Sequence, residues 1–450
     1  METVKEAIRE FTQNICESIK KMNQPIPIRL WVRFKDSNGL RIASHGEQKL
    51  NWGPHAYAFV PIIGEAPLLT TIVNALREDP EIATKIVINL DDEKEYIAFN
   101  TIKANWLWDR VITPYLDASM HSLRKVAFDD QLFDIVFNDF VKRIQTINPH
   151  LTRLTCPILN FRIPYEIDLD KTTKLRPLTL QEMEEWYNHE PFKIIRDLHI
   201  TDLGYSQSVV EFTIEEPHAS DPATRMQRVI RNNQLSQRIQ RILRLVTNMP
   251  VCFVFTETVS ESVLYLNRQI LAGQHNQRIL NLPEFIPMLN EDQIRLLISL
   301  WNSDGSNVNA NLIDLALDRL TDAFDRKRDE DKLIDYWVGL ESLFAPDANQ
   351  ELKFRAALRI AAFIGKTAEE RLSIFEEARA SYDWRSATVH GGGKPSKRVV
   401  KDFPLNKITS KTGQLLRTAI LQIYQSSGEF DITQIEKRLL TDSIQAKGDV

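Results

Sequence analysis

Tyr382-Asp383-Trp384-Arg385-Ser386-Ala387-Thr388-Val389-His390-Gly391 is the stretch around which the chain can be read. It joins a permanent cation, whose planar fork suits phosphate oxygens, to the side chain that most readily exchanges a proton near neutral pH. On a helix, five residues turn the chain by about 140°. Arg385 and His390 therefore do not share one narrow face, but they can line two sides of a groove made with another helix or subunit. Alone, R-x4-H is a weak signal, and the preferred reading is a surface arginine and a histidine that favours a helix C-terminal dipole.

Working outward, the surrounding periodicity is helical. Thr367 and Glu370 have capping-box spacing and open a helix expected to reach about Tyr382. Asp383–Val389 follows as a turn or short helix that Gly391 stops. Upstream, apolar residues at three- and four-residue spacing mark helices at Asp292–Trp301, Asn309–Arg326, Asp331–Phe344 and Glu351–Ile364. Pro346 ends the third, and Gly365 is expected at the C′ position of the fourth. Downstream, Leu405–Tyr424 forms a long final helix. Short connections predict an antiparallel bundle over 286–450.

The bundle carries three chemical features. Glu341 is a carboxylate among Leu340, Leu343 and Phe344, so it needs a cationic partner; Arg385, Arg355 and Arg359 compete for that place. The segment Gly391–Lys401 holds Lys394, Lys397, Arg398 and Lys401 with no acidic residue, which suits a phosphate backbone or a solvated loop. Tyr382 and Trp384 flank the arginine and either stack on bases or pack at a helix end. Gly391-Gly392-Gly393-Lys394 is not a P-loop: Thr388 stands at the first glycine position, Pro395 replaces the magnesium-binding hydroxyl, and the preceding segment is helical rather than a strand.

The first half mixes helix and strand. Residues 3–20 form an amphipathic helix on Val4, Ile8, Phe11, Ile15 and Ile19. Strand-like segments follow at Ile28–Phe34, Ala56–Ile63, Lys85–Leu90 and Glu95–Phe99, with a short helix at Leu68–Leu76 and another helix at Asp129–Ile147. A middle segment, 151–285, has strands near Leu154–Ile163, Ser208–Ile214 and Val251–Phe255. It has helices at Leu178–Asn188, capped by Thr179 and Glu182, and at Asn232–Thr247. Arg238, Arg241 and Arg244 share one side of the latter, which reads as a polyanion site or, more commonly, a solvated face. The fold class is α+β: 1–150 and 151–285 mixed, 286–450 all helical.

Composition sets bounds. The 450 residues are 43% hydrophobic and 26% charged, with a net charge of −5, so any nucleic-acid site has to be a local basic patch. Cys16, Cys156 and Cys252 are far apart and look like free thiols of a reducing compartment. Neither a signal-type N-terminus nor an apolar run of about 18 residues is evident, which predicts a cytoplasmic protein without membrane association. His45, His55, His121, His150, His189, His199, His218 and His275 lie at no metal-ligand spacing, so no metal and no cofactor is expected.

Three stretches resemble one family in order: Asp331–Phe344 with Leu340-Glu341-Ser342-Leu343, Arg359-Ile360-Ala361-Ala362-Phe363-Ile364-Gly365, and Tyr382–Gly391. Together they are similar to the HEPN superfamily, in its ApeA-like branch. Tyr165–Glu182 looks like the region upstream of the bundle in such proteins. The resemblance implies a metal-independent endoribonuclease whose R-x4-6-H motif maps onto Arg385 and His390, paired across a homodimer interface. It implies an effector of antiphage defence or abortive infection, of toxin type, acting on tRNA or mRNA and answering to a phage-derived trigger or host inhibitor. Arg385 would bind phosphate, His390 would move protons, Glu341 would orient Arg385, and Lys394, Lys397, Arg398, Tyr382 and Trp384 would hold RNA. Ser386 departs from the Asn, Asp or His that many members place after the arginine. The other reading is a non-catalytic HEPN module that binds RNA or a partner and dimerises, with the N-terminal region carrying the main interaction.

Overall fold

The computed structural model describes residues 2–22, 26, 28–37, 40–52, 55, 107–144, 150–159, 162–188, 207–216, 222–253, 255–260, 268–272, 288–303, 310–346, 351–391, 393–425 and 430–437. The fold is mixed α+β, with antiparallel sheet in the first half and a largely helical C-terminal region. The chain divides into two compact units. One comprises Met1–Ser236, Phe253–Asn276 and Glu284–Met288; the other comprises Gln237–Cys252, Gln277–Pro283 and Leu289–Val450. The expected strands at 56–63, 85–90 and 95–99 and the helix at 68–76 lie outside the described residues.

In the first unit, α1 (Glu2–Met22) buries Val4, Ile8, Phe11, Ile15 and Ile19, the stripe that makes an amphipathic helix. They join Trp108, Tyr115, Phe133, Phe137 and Phe140 in one core. A π-helical turn at Trp108–Ile112 leads into α2 (Thr113–Leu123), followed by α3 (Asp130–Ile144). The buried Tyr115 hydroxyl accepts from Asp129 N at 2.6 Å and donates to Ala127 O at 3.0 Å, which fixes the link between α2 and α3. β1 (Ile28–Ser37) pairs antiparallel with β2 (Leu40–Leu50), with a bulge between Trp31 and Arg33. Periodicity alone misses β2. Arg41, Ser44, His45, Glu47, Gln48 and Lys49 dilute any apolar alternation, and pairing with β1 supplies what the side chains do not.

A seven-stranded sheet completes this unit. Its strands are β3 (His150–Leu159), β4 (Ile167–Asp168), β5 (Thr173–Pro177), β6 (Ser208–Glu216), β7 (Cys252–Phe253), β8 (Phe255–Ser260) and β9 (Arg268–Ala272). The order is β4-β5-β6-β3-β8-β9, with β7 paired to β3. The central β3–β6 pair runs from His150 opposite Glu216 to Ile158 opposite Ser208. Leu154 to Leu159 are all buried, so this central strand is covered on both faces. α4 (Leu180–Asn188) is capped as expected, Glu182 N donating to Thr179 Oγ1 at 3.2 Å and Thr179 N to Glu182 Oε2 at 3.1 Å. Arg176 bridges Glu182 and Glu211.

α5 (Pro222–Thr247) begins well before the expected Asn232, because a proline is tolerated in the first helical turn and the early residues carry no apolar stripe to announce them. Its residues from Gln237 onward belong to the second unit. There the arginine face is not uniform: Arg238 is exposed, Arg241 half-buried and Arg244 buried. Arg244 is 2% exposed and makes a bidentate pair with Asp325 at 2.8 and 2.9 Å. It also donates to Thr321 O and Val251 O. Arg241 pairs with Asp318 at 2.7 Å, and Arg238 lies 4.5 Å over the Trp301 ring. Arg417 caps the helix by donating to Leu245 O and Val246 O.

The rest of this unit is α6 (Glu291–Asn302), α7 (Ala310–Ala323), α8 (Asp329–Phe344), α9 (Leu352–Ile364), α10 (Ala368–Val389), α11 (Lys397–Asp402) and α12 (Leu405–Gln425), with further helix at 432–437. α8 is the central rod, packed on α7, α9, α10 and α12. Two glycines let α8 and α12 approach. A Cβ on Gly339 would stand 2.9 Å from Leu416 Cδ2, and one on Gly413 2.8 Å from Tyr336 Cζ. Gly365 differs from expectation. Its φ of −74° is not left-handed; its missing Cβ instead makes room for Arg371 and Ala361 O.

Candidate functional site

α10 is one unbroken 22-residue helix rather than a helix followed by a separate turn. Thr367 and Glu370 cap its start as the spacing indicates. The first glycine past its start is Gly391, at φ +64°, so no glycine before His390 interrupts the backbone hydrogen bonds. The whole motif is therefore carried on one rigid element.

Glu341 sits on α8 and faces Arg385 on α10. Arg385 Nη2 lies 3.3 Å from both carboxylate oxygens. The two side chains are 19% and 20% exposed. The competing arginines turn elsewhere: Arg359 donates to Phe344 O at 2.7 Å and to Glu436 at 2.6 Å, and Arg355 approaches Glu436 at 3.9 Å. The Arg385 guanidinium also lies 5.4 Å from the centre of the Tyr382 ring, a cation–π distance. Arg385 Nε and Glu341 Oε1 have no hydrogen-bond partner among the described residues. Both atoms are buried, so the unpaired Nε is an unmet donor inside the site rather than one open to solvent.

The support behind this pair is buried. Tyr382 meets Trp337 edge-on, with ring centres 4.9 Å apart. Trp337 Nε1 donates to Ser381 Oγ at 2.8 Å, Ser381 Oγ meets Thr412 Oγ1 at 2.5 Å, and Thr412 Oγ1 donates to Ile408 O at 2.7 Å. Because Thr412 spends its proton on Ile408, Ser381 donates to Thr412. This chain ties α8, α10 and α12 together beside the candidate site. Trp337 is readable in the sequence as a core residue, and a buried indole N–H does demand a partner. Choosing Ser381 for it requires the helices to be packed first.

His390 ends α10, with φ −88° and ψ 5°, and its N–H donates to Ser386 O at 3.1 Å. Its side chain is exposed, and no described residue is bonded to its ring. Lys394, Lys397 and Arg398 are exposed beyond it. The segment is not wholly a loop: Ser396 caps the short α11, its Oγ accepting from Val399 N at 3.4 Å. Trp384 corrects the expectation for that residue. It is 6% exposed, and Nε1 donates to Phe403 O at 2.9 Å, so it packs inside the bundle and offers no face to a base. Tyr382 is half-buried beneath Arg385.

Burial raises the Glu341 carboxyl above its ordinary value of 4.5, and the Arg385 charge offsets this in part. The sign follows from linkage. A carboxyl whose pKa is raised by folding stabilises the fold only while protonated, and that contribution is lost as pH climbs from 4.5 through the raised value. Wild type should therefore lose stability relative to Glu341→Gln as pH rises, measured as the difference between their urea unfolding free energies at acid and alkaline pH. A difference independent of pH would show that Glu341 titrates normally.

Among the described residues no three His, Cys, Asp or Glu side chains cluster as metal ligands, and no helix is long and apolar enough to cross a membrane. What the site offers is a held but unsaturated guanidinium, a proton-transfer group at the end of the same helix, and exposed cations beyond. No protein family, curated protein or solved structure matches this chain.

Proposed function

We propose that the helical unit is a HEPN-type endoribonuclease that needs no metal. The observation that carries this reading is the Arg385 head, held by Glu341 and Tyr382 yet with Nε unspent, on a helix that ends in an exposed His390. RNA brings its own nucleophile. The 2′-OH attacks phosphorus, the bond to the 5′-oxygen breaks, and the products are a 2′,3′-cyclic phosphate and a 5′-OH. His390 takes the 2′ proton or supplies one to the leaving oxygen. Arg385 stabilises charge on the phosphorane-like transition state, and Glu341 orients Arg385. The proposed substrate is tRNA or mRNA, in the setting of antiphage defence or abortive infection, with control by a phage-derived trigger or host inhibitor. A homodimer through the bundle would bring a second copy of the pair to the first.

The test is cleavage of total cellular RNA and purified tRNA in the presence of EDTA, with the 3′ ends mapped. Wild type should cut and leave cyclic phosphate ends, and His390→Ala should not. One observation favours a second reading, a non-catalytic RNA- or partner-binding module: no described residue fixes the orientation of the His390 ring. If neither protein cuts RNA, including in phage-infected lysate, that reading replaces the first.

A further inference from the structure

We propose that the RNA-binding surface continues past Lys394, Lys397 and Arg398 onto α12, where Lys407 and Lys411 contact the phosphate backbone of the bound strand. This rests on the ribonuclease reading and extends it to residues outside the motif. Residues 393–411 carry six cations (Lys394, Lys397, Arg398, Lys401, Lys407 and Lys411) against one carboxylate, Asp402, in a chain whose net charge is −5. All six cations are exposed. A solvated face drawn from this chain, with 56 basic and 61 acidic residues, would be close to neutral.

The segment is attached to the helix that carries Arg385. The Trp384 indole bonds to Phe403 O at 2.9 Å, in the turn between α11 and α12. Further along, Ser381 meets Thr412, and Lys411 lies 3.7 Å from Glu377. Advancing along α12 thus means moving back along α10, so the two helices run antiparallel. Left-handed Gly391 and Gly393, at φ +64° and +84°, turn the chain between α10 and this surface. The two nearby carboxylates are only loosely engaged, Asp402 by Arg398 at 3.6 Å and Glu377 by Lys411 at 3.7 Å.

The chemistry of the surface selects its partner. No exposed residue of 393–411 is a large apolar one. Protein partners are anchored by desolvated aromatic and aliphatic side chains, and this surface has none to offer. Point cations on flexible stems suit repeated phosphates.

The experiment uses full-length His390→Ala protein, so that the strand survives, and a labelled single-stranded oligoribonucleotide titrated at several salt concentrations. Removing one phosphate contact from a single strand should reduce the slope of log K against log salt by about 0.7. Lys407→Gln should show that reduction with a several-fold loss of affinity. Glu377→Gln, which releases Lys411, should raise affinity. Lys366→Gln is the control: the same charge change just before α10, about 17 Å along that helix from Glu377 and Lys411, should change neither quantity. The proposal is overturned if Lys407→Gln and Lys411→Gln match Lys366→Gln while Lys397→Gln weakens binding, because the surface then stops at α11. It is also overturned if polyglutamate binds as tightly as RNA with the same salt slope. Absence of RNA binding at every salt concentration would instead overturn the ribonuclease reading beneath it.

Discussion

His390→Ala is expected to lower single-turnover RNA cleavage by about 10²–10⁴-fold, the range for losing a positioned general acid or base. Stability should stay within about 0.5 kcal/mol of wild type, as for a surface substitution away from structural features. The second expectation is what makes the variant informative. His390 is exposed and its ring is bonded to no described residue, so lost activity cannot be blamed on lost folding. Arg385→Ala should also cost about 10²–10³ in rate, but it strips Glu341 of its cationic partner and therefore perturbs the bundle too. Arg385→Lys should not restore cleavage, since a point charge on a flexible stem does not reproduce the guanidinium fork. Paired cleavage assays and urea melts read both quantities. Unchanged cleavage by His390→Ala would remove the proposed mechanism.

Arg244→Ala should destabilise the helical unit by about 1.5–3 kcal/mol, the range for losing hydrogen bonds made by a charged group, since Asp325 is 28% exposed. Arg244 is 2% exposed and satisfies Asp325, Thr321 O and Val251 O together. Its loss leaves Asp325 without its cation, while Val251 O keeps Gln240 Nε2 and Thr321 O keeps Phe324 N. Arg241→Ala, three residues earlier, should cost no more than about 1 kcal/mol, because its pair with Asp318 is 31% and 40% exposed. Urea unfolding of the two variants tests this ordering. Equal and small effects would restore the solvated-face reading of that helix side.

Those two arginines show where sequence reading stops. Arg238, Arg241 and Arg244 are spaced alike in the chain, and no local pattern separates them. Their fates diverge because Asp325, Asp318 and Trp301 come from distant segments. Tyr382 and Trp384 are a second instance. Both precede Arg385 within three residues, yet one lies under its guanidinium while the other turns inward to Phe403 O. Glu341 is a third. Three arginines are plausible partners from sequence; Arg385 is the one that faces it, while Arg355 and Arg359 lie against Glu436.

Most helices, by contrast, were legible; α2 and the short α11 were not. Periodicity marked α1, α3 and α6 to α10 as well as α12, because a helix buries a stripe that its own sequence must encode. Capping signals at Thr179–Glu182 and Thr367–Glu370 were legible for the same reason, their hydrogen bonds closing within three residues. β2 was not, since half of a hairpin's stabilisation belongs to the partner strand. The continuity of α10 through the motif was only half legible, because Arg385 and Ala387 stand among the weaker formers Asp383, Ser386, Thr388 and Val389.

The chain by itself therefore determined the mixed α+β class, the helices of the bundle, and the pairing of an arginine and a histidine five residues apart beside a basic segment. Each of these is a local property, carried by residues within a few turns of one another. The tertiary structure alone decided which carboxylate holds Arg385, which aromatic supports it, which cations stay exposed beyond His390, and which arginines are buried. Those outcomes depend on desolvation and on partners tens or hundreds of residues away, and burial is a property of the packed chain rather than of any window within it.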